Sequence, residues 1–281
     1  MPTYSVTGAS GHLRALAVQE LLARGASASD IVAVVRTPSK AIGLAELSVQ
    51  VREGDYSRPE TLSAAITGVD RLLLVSSSKA GQRVARHTNV IQAAKTAGVS
   101  RIAYTSMLNA DDTTNPLAGE QALRQAGVPF TLLRNGWYTE HYTDQLGQYL
   151  QHDEILDAAN SGRISAATPP GPRRRRTAPR RRSNRSYELS GPAFGLPELA
   201  RVISEATGTP ATYRDLPVEQ YTSWLQDAGL DEATARFVAA LDASIANGDL
   251  ETNSQDLAQL LAKPEARAAD PPRRQRGSPA R

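Results

Sequence analysis

The segment RNGWYTEHY, residues 134–142, brings an amide, an indole, two phenols and an imidazole together within nine positions. It follows the strand-like run FTLL, so these side chains should lie at the end of a strand. Aromatic rings mixed with a few hydrogen-bonding groups are typical of a pocket wall that holds a flat ring. The alternative is that Trp137 and Tyr138 are core anchors without a ligand.

A second chemical motif lies near the N-terminus, where YSVTGASGHLRALAVQELL places a strand, a glycine-rich turn and a helix in succession. Gly8 permits the tight turn, Gly11 allows close approach to a pyrophosphate, and the N-terminus of the helix favours an anion. The pattern predicts a dinucleotide site, with an ordinary strand-to-helix turn as the alternative. Arg14 stands where a third glycine is expected, and it either reaches a phosphate or strains the helix–sheet contact.

The end of the second strand indicates which dinucleotide binds. VAVVRTPSK places Arg36 and Lys40 where an NAD-selective site would carry an acidic residue on the ribose hydroxyls. A cation at this point suits a 2′-phosphate, so NADPH is favoured over NADH. The alternative is a solvated surface arginine.

Two later strand ends also carry polar groups. Asp55 and Tyr56 follow the third strand, in a position to border an adenine. LLLVSSS ends the fourth strand with Ser76, Ser77 and Ser78, which either face a ligand or cap the next helix.

The elements that would position these residues alternate between strand and helix over the first two-thirds of the chain. The predicted strands cover 4–7, 31–35, 49–52, 71–75, 102–105 and 130–133, and the predicted helices cover 13–24, 59–66, 84–97 and 117–125. This alternation predicts an α/β Rossmann fold, a doubly wound parallel sheet that binds ligands at the carboxyl ends of its strands.

We therefore expect residues 1–138 to form an NAD(P)-binding Rossmann domain. Residues 139–264 are predicted to form a small, mainly helical lobe on the substrate side, with an arginine-rich loop at 169–185. Its expected elements are a helix over 139–151, short strands in GRISAAT and SYELSG, and helices over 196–207, 218–228, 231–247 and 254–261. The tail, 265–281, has no hydrophobic period and is expected to be disordered.

The chain resembles the NAD(P)H:quinone oxidoreductases of type 2, which are NmrA-like atypical short-chain dehydrogenases. The similarity is carried by VTGASGHL, VAVVRTPSK, GDYSRPETL, LLLVSSSKAGQRVARHTNVIQAAKTAGVSRIAYTSML and FTLLRNGWYTEHY. It covers nearly all of residues 3–168 and resumes more weakly over 187–264. The resemblance implies a Rossmann fold with a small C-terminal lobe, NADPH as the donor and quinones as acceptors.

The resemblance also implies the binding residues, among them Arg36 as the ligand of the 2′-phosphate. The complete cofactor-binding set is Gly8, Ala9, Ser10, Gly11, His12, Leu13, Arg36, Lys40, Ser76, Ser77, Ser78, Asn135, Gly136, Trp137, Tyr138, Thr139 and Glu140. No tyrosine is followed four positions later by lysine, as the usual short-chain dehydrogenase pair would require. We infer direct hydride transfer from NADPH to a quinone stacked near Trp137, without flavin. The protons come from water or from Tyr138, His141 or Tyr142.

Several departures from the family keep a second function open, namely an NmrA-like regulatory protein that senses NADP(H) without catalysis. Arg14 replaces a glycine, and NPLAGEQALRQAG is about two helical turns shorter than in the family. Proline and arginine then replace a family helix after ISAAT, and the end of the chain after Lys263 is also replaced.

The arginine-rich segment holds eight arginines between Arg173 and Arg185 in a chain of formal net charge +3, which leaves −5 for the rest. It shares its Arg, Pro, Ala, Gly and Ser composition with the tail. A GC-rich gene read in the wrong frame yields that mixture, so we interpret both as local frame discontinuities. The alternative is non-specific binding to nucleic acid or another phosphate-rich surface, which no interleaved aromatic residues support.

Composition restricts the remaining classes. The chain has no cysteine, which excludes disulfides and thiolate chemistry, and its four histidines show no metal-ligand spacing, so no metal is expected. There is no apolar run of about 20 residues and no signal-peptide pattern at the N-terminus. We expect a cytoplasmic protein whose partner is a small-molecule quinone, and homo-oligomerisation is left open.

Overall fold

The computed structural model describes residues 1–8, 12–77, 82–108, 117–167 and 184–261. Within these ranges the strands are β1 Tyr4–Thr7, β2 Ile31–Val35, β3 Gln50–Glu53, β4 Arg71–Leu74, β5 Arg101–Met107, β6 Phe130–Asn135, β7 Trp137–Tyr138, β8 Glu154–Asp157, β9 Arg163–Ala167, β10 Arg185–Leu189, β11 Ala193–Gly195 and β12 Thr212–Asp215. The α-helices are α1 His12–Ala23, α2 Ile42–Glu46, α3 Pro59–Ile66, α4 Arg83–Thr96, α5 Leu117–Ala126, α6 Glu140–Thr143, α7 Leu146–His152, α8 Leu196–Thr207, α9 Val218–Asp227, α10 Glu232–Ala246 and α11 Asp256–Leu261.

The core of the molecule is a seven-stranded sheet in the order β3-β2-β1-β4-β5-β6-β10, in which every pairing is parallel. The order changes direction between β1 and β4, and the carboxyl ends of strands at such a switch point form the ligand crevice of doubly wound folds. The predicted α/β fold class is confirmed.

Helices cover both faces of this sheet. In β2, alternate side chains pack against the helices on opposite faces. All five of its residues are buried, because Val32 and Val34 pack into the cluster that contains Leu62 of α3 and Ile91 of α4. The alternate residues, Ile31, Ala33 and Val35, pack into a second cluster with Val18 of α1 and Leu44 of α2. A strand with two buried faces reads as a continuous apolar run, which is why the sequence located it correctly.

The last strand of the sheet comes from a segment that we expected in the lobe. Arg185–Leu189 pairs in parallel with β6, so that Leu189 lies opposite Asn135. The chain therefore leaves the sheet after β6, builds most of the lobe's β-structure, and returns to the sheet edge beside its point of departure. The alternation of strands and helices gave no sign of this return, because β7, β8 and β9, which belong to other sheets, separate β6 from β10 along the chain.

The second unit consists of a three-stranded sheet, β11-β9-β7, and a two-stranded sheet, β12-β8, with α8, α9 and α10 packed around them. Helix α8 has its predicted bounds, and it ends at Gly208, whose φ of +73° suits glycine. The single helix predicted over 139–151 is instead α6 and α7. The chain between them tightens at Gln145, whose N–H bonds to the carbonyl of Tyr142 at 3.2 Å.

Two predicted segments lie outside the described residues. They are 168–183, which holds all but the last arginine of the arginine-rich loop, and 262–281, which includes the predicted tail. The side chain of Arg14, for which we expected strain, is also outside the description. In the described part of the chain, no helix combines the length and apolarity needed to cross a membrane.

Candidate functional site

The glycine turn after β1 is held by hydrogen bonds between the ends of neighbouring strands. Gly8 has φ +63°, a conformation that favours glycine. The preceding Thr7 accepts the N–H of Val75 at 3.1 Å, and its Oγ1 also contacts the hydroxyl of Tyr56. Tyr56 is buried and its hydroxyl bonds to the Val75 carbonyl at 2.9 Å. The Tyr56 hydroxyl therefore fixes the ends of β1 and β4 from inside the protein.

Two exposed cations follow β2 at the same edge of the sheet. They are Arg36 and Lys40, the residues that the sequence assigns to a 2′-phosphate. Asp55, after β3, accepts the backbone N–H of Ser57 at 2.8 Å, and this bond, helped by the nearby Arg58 and Arg36, holds the pKa of the Asp55 carboxyl below its ordinary value. A positively charged edge with one fixed carboxylate beside it suits a phosphorylated ribose.

The serines after β4 are placed by a buried histidine that the sequence analysis missed. The backbone N–H of Ser77 donates to Nε2 of His87 at 2.9 Å, so the ring proton lies on Nδ1, which is 2.9 Å from Oη of Tyr104. Burial lowers the pKa of His87 to about 4, which keeps the ring neutral. The N–H of Ser76 bonds to Oγ1 of Thr105 at 2.9 Å. A histidine within the apolar pattern of α4 is the signal that would have revealed this support.

The segment after β6 divides between a pocket wall and the core. Nδ2 of Asn135 donates to Oη of Tyr138 at 3.0 Å, and the ring of His141 stacks on Trp137 with 4.5 Å between centroids. Partial burial lowers the pKa of His141, although the negative charges of Asp144 and Glu140 act to raise it. Tyr142 is buried and packs edge-to-face on Phe194, and burial raises its pKa.

Gly136 lies where the chain passes from β6 of the seven-stranded sheet to β7 of the three-stranded sheet. A Cβ atom at this position would lie 2.2 Å from the carbonyl oxygen of Ser165 in β9 and 2.7 Å from Cβ of Ser190. The N–H of Gly136 bonds to the carbonyl of Leu189 at 3.0 Å. The glycine is therefore required by close packing of the backbone, whatever contact it also makes with a ligand.

A buried ion pair supports the end of β6 from behind. Arg134 donates from Nε and Nη2 to the two carboxylate oxygens of Glu120 in α5, at 3.0 Å and 2.7 Å. Glu120 is 0% exposed, and Arg124 approaches the same carboxylate at 3.5 Å from the solvent side. The pair ties α5 to the strand that carries Asn135.

The aromatic segment also forms one end of a cavity of about 770 Å³ that extends into the second unit. Trp137, His141 and Tyr142 line this end, and α7, β8, α9 and α10 supply most of the remaining wall. In the part of the chain that the structure describes, no group of three or more histidine or acidic residues could hold a metal ion.

Several of the predicted site residues that the structure describes lie at one edge of the sheet. Gly8, Arg36, Ser76, Ser77 and Asn135 follow the carboxyl ends of β1, β2, β4 and β6, which meet at one edge of the sheet. Leu13 begins α1 beside the turn, and Thr139 precedes α6. Ala9, Ser10, Gly11, Ser78 and the side chain of His12 lie outside the described residues.

The residues present fit a dinucleotide at this edge. The buried Oγ of Ser77 and Oε2 of Glu140 have no hydrogen-bond partner among the described residues. Buried polar atoms normally have partners, so these two atoms suit the polar groups of a bound molecule.

Comparisons with known proteins agree with this geometry. A family model described as NAD(P)H-binding matches residues 8–167. The sequence is 37% identical over 275 residues to quinone oxidoreductase 2 of Escherichia coli (strain K12), covering 95% of this chain and 96% of that protein. The crystal structure of the E. coli NADPH-dependent quinone oxidoreductase complexed with NADPH superposes with a TM-score of 0.83 at 35% identity, covering 92% of this chain and 94% of that one. Triphenylmethane reductase of Citrobacter sp., complexed with NADP(H), gives a TM-score of 0.84 at 32% identity, with 92% and 95% coverage.

Proposed function

Because this chain belongs to the NAD(P)H-binding family and, within it, to the type 2 quinone oxidoreductases of the NmrA-like group, we propose that it reduces quinones with NADPH. The observation that carries the proposal is the continuity of the site. The sheet edge that suits a dinucleotide leads directly, through Asn135 and Tyr138, to a stacked Trp137–His141 wall and an aromatic cavity. A donor and a flat acceptor would therefore meet at the end of β6.

The cofactor would be held by the turn at Gly8, by Arg36 and Lys40, and by the serines after β4. Arg36 suits the 2′-phosphate, because a guanidinium remains charged and offers paired donors to phosphate oxygens. Support of Ser77 by His87 and of Thr7 by Tyr56 fixes the backbone at two strand ends. A pre-arranged edge of this kind lowers the conformational cost of binding.

NADPH, when bound, supplies the hydride that quinone reduction requires. The protein's part is to stack the acceptor ring near Trp137, exclude water from it and place proton donors beside it. Tyr138 is the foremost of these, because the amide of Asn135 orients its phenol at the end of β6. His141 lies exposed on the same wall, whereas Tyr142 is buried and its raised pKa makes it a weaker acid. We further propose that the reaction uses no flavin and that the protein acts in the cytoplasm.

The test is NADPH oxidation by the purified chain, followed by absorbance with 1,4-naphthoquinone as acceptor and no added flavin. We expect quinone-dependent turnover with NADPH preferred over NADH. Tyr138→Phe should lower kcat by about ten-fold or more, as the loss of a positioned proton donor does. Tyr4→Phe is the matched control, because Tyr4 lies at the opposite end of β1 and should leave kcat unchanged.

Nucleotide fluorescence measured on the same preparation separates the alternatives. NADPH binding without quinone reduction would refute the proposal and support an NADP(H)-sensing protein. Equal loss of activity in the Tyr138 and Tyr4 variants would remove Tyr138 from the proton-donating role.

A further inference from the structure

Ser77 has three groups that can form hydrogen bonds, and the protein uses two of them. Its backbone N–H donates to Nε2 of His87 at 2.9 Å, and its carbonyl accepts from Nε of Arg83 at 3.2 Å. Its Oγ is buried and has no hydrogen-bond partner among the described residues. Buried hydroxyl groups normally have a partner, so the Ser77 hydroxyl is the group that remains for a bound molecule.

The strand order indicates which part of NADPH would meet this hydroxyl. Across the sheet the strands follow in the order β2, β1, β4, β5 and β6. Arg36 follows β2 and suits the 2′-phosphate, and the turn at Gly8 follows β1 and suits the pyrophosphate. Ser77 follows β4, on the side towards the acceptor wall at the end of β6. The part of NADPH that would pass Ser77 is therefore the ribose of the nicotinamide half, whose hydroxyl groups can pair with a serine hydroxyl.

The backbone that carries this hydroxyl is held by one tautomer of His87. The ring accepts the Ser77 N–H at Nε2, so its own proton lies on Nδ1, which is 2.9 Å from Oη of Tyr104. A proton on Nε2 would instead face the Ser77 N–H and exclude the hydrogen bond. Tyr104 therefore selects the tautomer that holds Ser77.

The His87–Tyr104 contact has no room to shift. His87 is 0% exposed and Tyr104 is 2% exposed, and their rings pack edge-to-face with centroids 5.4 Å apart. Gly119 of α5 lies against this contact so closely that a Cβ atom there would overlap Oη of Tyr104. Burial lowers the pKa of His87 to about 4, helped by the charges of Arg83 and Arg86, so the ring is neutral near pH 7.

We propose that His87 is a positioning residue for the cofactor, which holds the Ser77 hydroxyl towards the ribose of the nicotinamide half. His87 is buried behind Ser77, so it acts on the cofactor through that residue. The proposal rests on the proposed function only in taking NADPH as the bound dinucleotide. Because the nicotinamide ring is attached to this ribose, the same contact would also affect the alignment of the ring with the acceptor.

The test compares NADPH with adenosine 2′,5′-bisphosphate, which contains the adenine half and its 2′-phosphate but lacks the nicotinamide ribose. Each is titrated into the full chain by calorimetry. His87→Leu removes the acceptor of the Ser77 N–H and should weaken NADPH binding by about five-fold or more, as the loss of one hydrogen bond does. Binding of the bisphosphate should be unchanged. Arg36→Ala should weaken the binding of both compounds.

Two further variants separate positioning from loss of packing. His87→Gln keeps a side-chain acceptor for the Ser77 N–H, and should restore most of the NADPH affinity that His87→Leu loses. Ser204→Ala is the matched control. It also removes the side-chain acceptor of a partly buried backbone N–H, that of Ala211, but it lies in α8, outside the seven-stranded sheet. It should leave both affinities unchanged.

Nitrogen NMR of the histidine rings tests the tautomer in the wild-type chain without any ligand. We expect the His87 proton on Nδ1 near neutral pH. Tyr104→Phe removes the acceptor of that proton, and should weaken NADPH binding but not binding of the bisphosphate. A proton on Nε2 in the wild type, equal effects of a folded His87→Leu variant on the two ligands, or no recovery in a folded His87→Gln variant would each overturn the proposal.

The same preparations are assayed for reduction of 1,4-naphthoquinone. Quinone reduction by the wild-type chain, without the expected difference between the two ligands in His87→Leu, would refute only the role of His87. That difference without quinone reduction would refute only the proposed function.

Discussion

Replacing Glu120 by glutamine should destabilise the protein by about 3–5 kcal/mol, the usual cost of leaving one member of a buried ion pair alone. Glu120 has no exposure, and Arg134 is buried and donates to both of its oxygens. Glutamine would keep one acceptor but turn an amide N–H₂ toward the guanidinium. Arg134 would then be a buried guanidinium that has lost the carboxylate to which it donates two hydrogen bonds.

The structure contains its own control for this substitution. Arg124 contacts the same carboxylate, but from solvent and at 3.5 Å, so Arg124→Gln should cost less than about 1 kcal/mol. Replacing both buried partners, as Glu120→Leu with Arg134→Met, should recover most of the loss of Glu120→Gln, because apolar residues of similar volume need no solvation.

Urea unfolding followed by circular dichroism measures these differences as changes in midpoint at constant slope. The reasoning fails if Glu120→Gln costs no more than Arg124→Gln, since the buried guanidinium would then have found other compensation. It also fails if the apolar double variant is as unstable as Glu120→Gln, since simple loss of packing would then explain both.

Three further predictions concern stability and selectivity. Burial raises the pKa of Asp157 to about 8 and of Asp242 to about 6, whereas both titrate near 3.8 when unfolded, so the unfolded chain releases these protons first. The free energy of unfolding should therefore fall as the pH rises from about 4 to about 8, by an amount on the order of a few kcal/mol. Asp157→Asn should flatten this dependence, which urea titrations at several pH values would measure. Gly136→Ala should lower the thermal midpoint by several degrees, because its Cβ would overlap the backbone of β9, whereas Gly147→Ala in α7, with nothing within 4 Å, should leave the midpoint unchanged or raise it. Arg36→Ala should reduce the ratio of kcat/KM for NADPH to that for NADH by about ten-fold, and an unchanged ratio would exclude Arg36 as the 2′-phosphate ligand.

The inner part of the sheet could be predicted from the sequence because a strand such as β2 is buried on both faces, and the positions of the strand ends followed from the parallel topology. The bounds of β1 and β2 were therefore correct, and Gly8, Arg36, Ser76 and Asn135 meet at one edge. Local features, such as a strand followed by a turn, could be predicted from the sequence.

Features that depend on contacts between residues far apart in the chain could not be predicted from the sequence. Asp157 and Asp242 are far apart in the chain, and neither has a sequence neighbour that indicates a partner. His87 looked like an ordinary helix residue, although it supports Ser77. RNGWYTEHY contributes Trp137, His141 and Tyr142 to the wall of the cavity. Tyr142 also packs into the core, because the start of α6 turns successive side chains in different directions.

The position of β10 has a consequence for folding during synthesis. Until residue 189 has left the ribosome, β6 is the outermost strand, and its backbone groups on one side have no partner in the sheet. An unpaired edge of this kind pairs readily with other chains. Completion of the sheet must also wait for the long excursion between Asn135 and Arg185, which raises the sequence separation of the final contacts and slows their formation. A nascent chain of this protein is thus most prone to self-association while residues 136–184 are being made, and a chaperone that covers β6 during that interval would raise the yield of native protein.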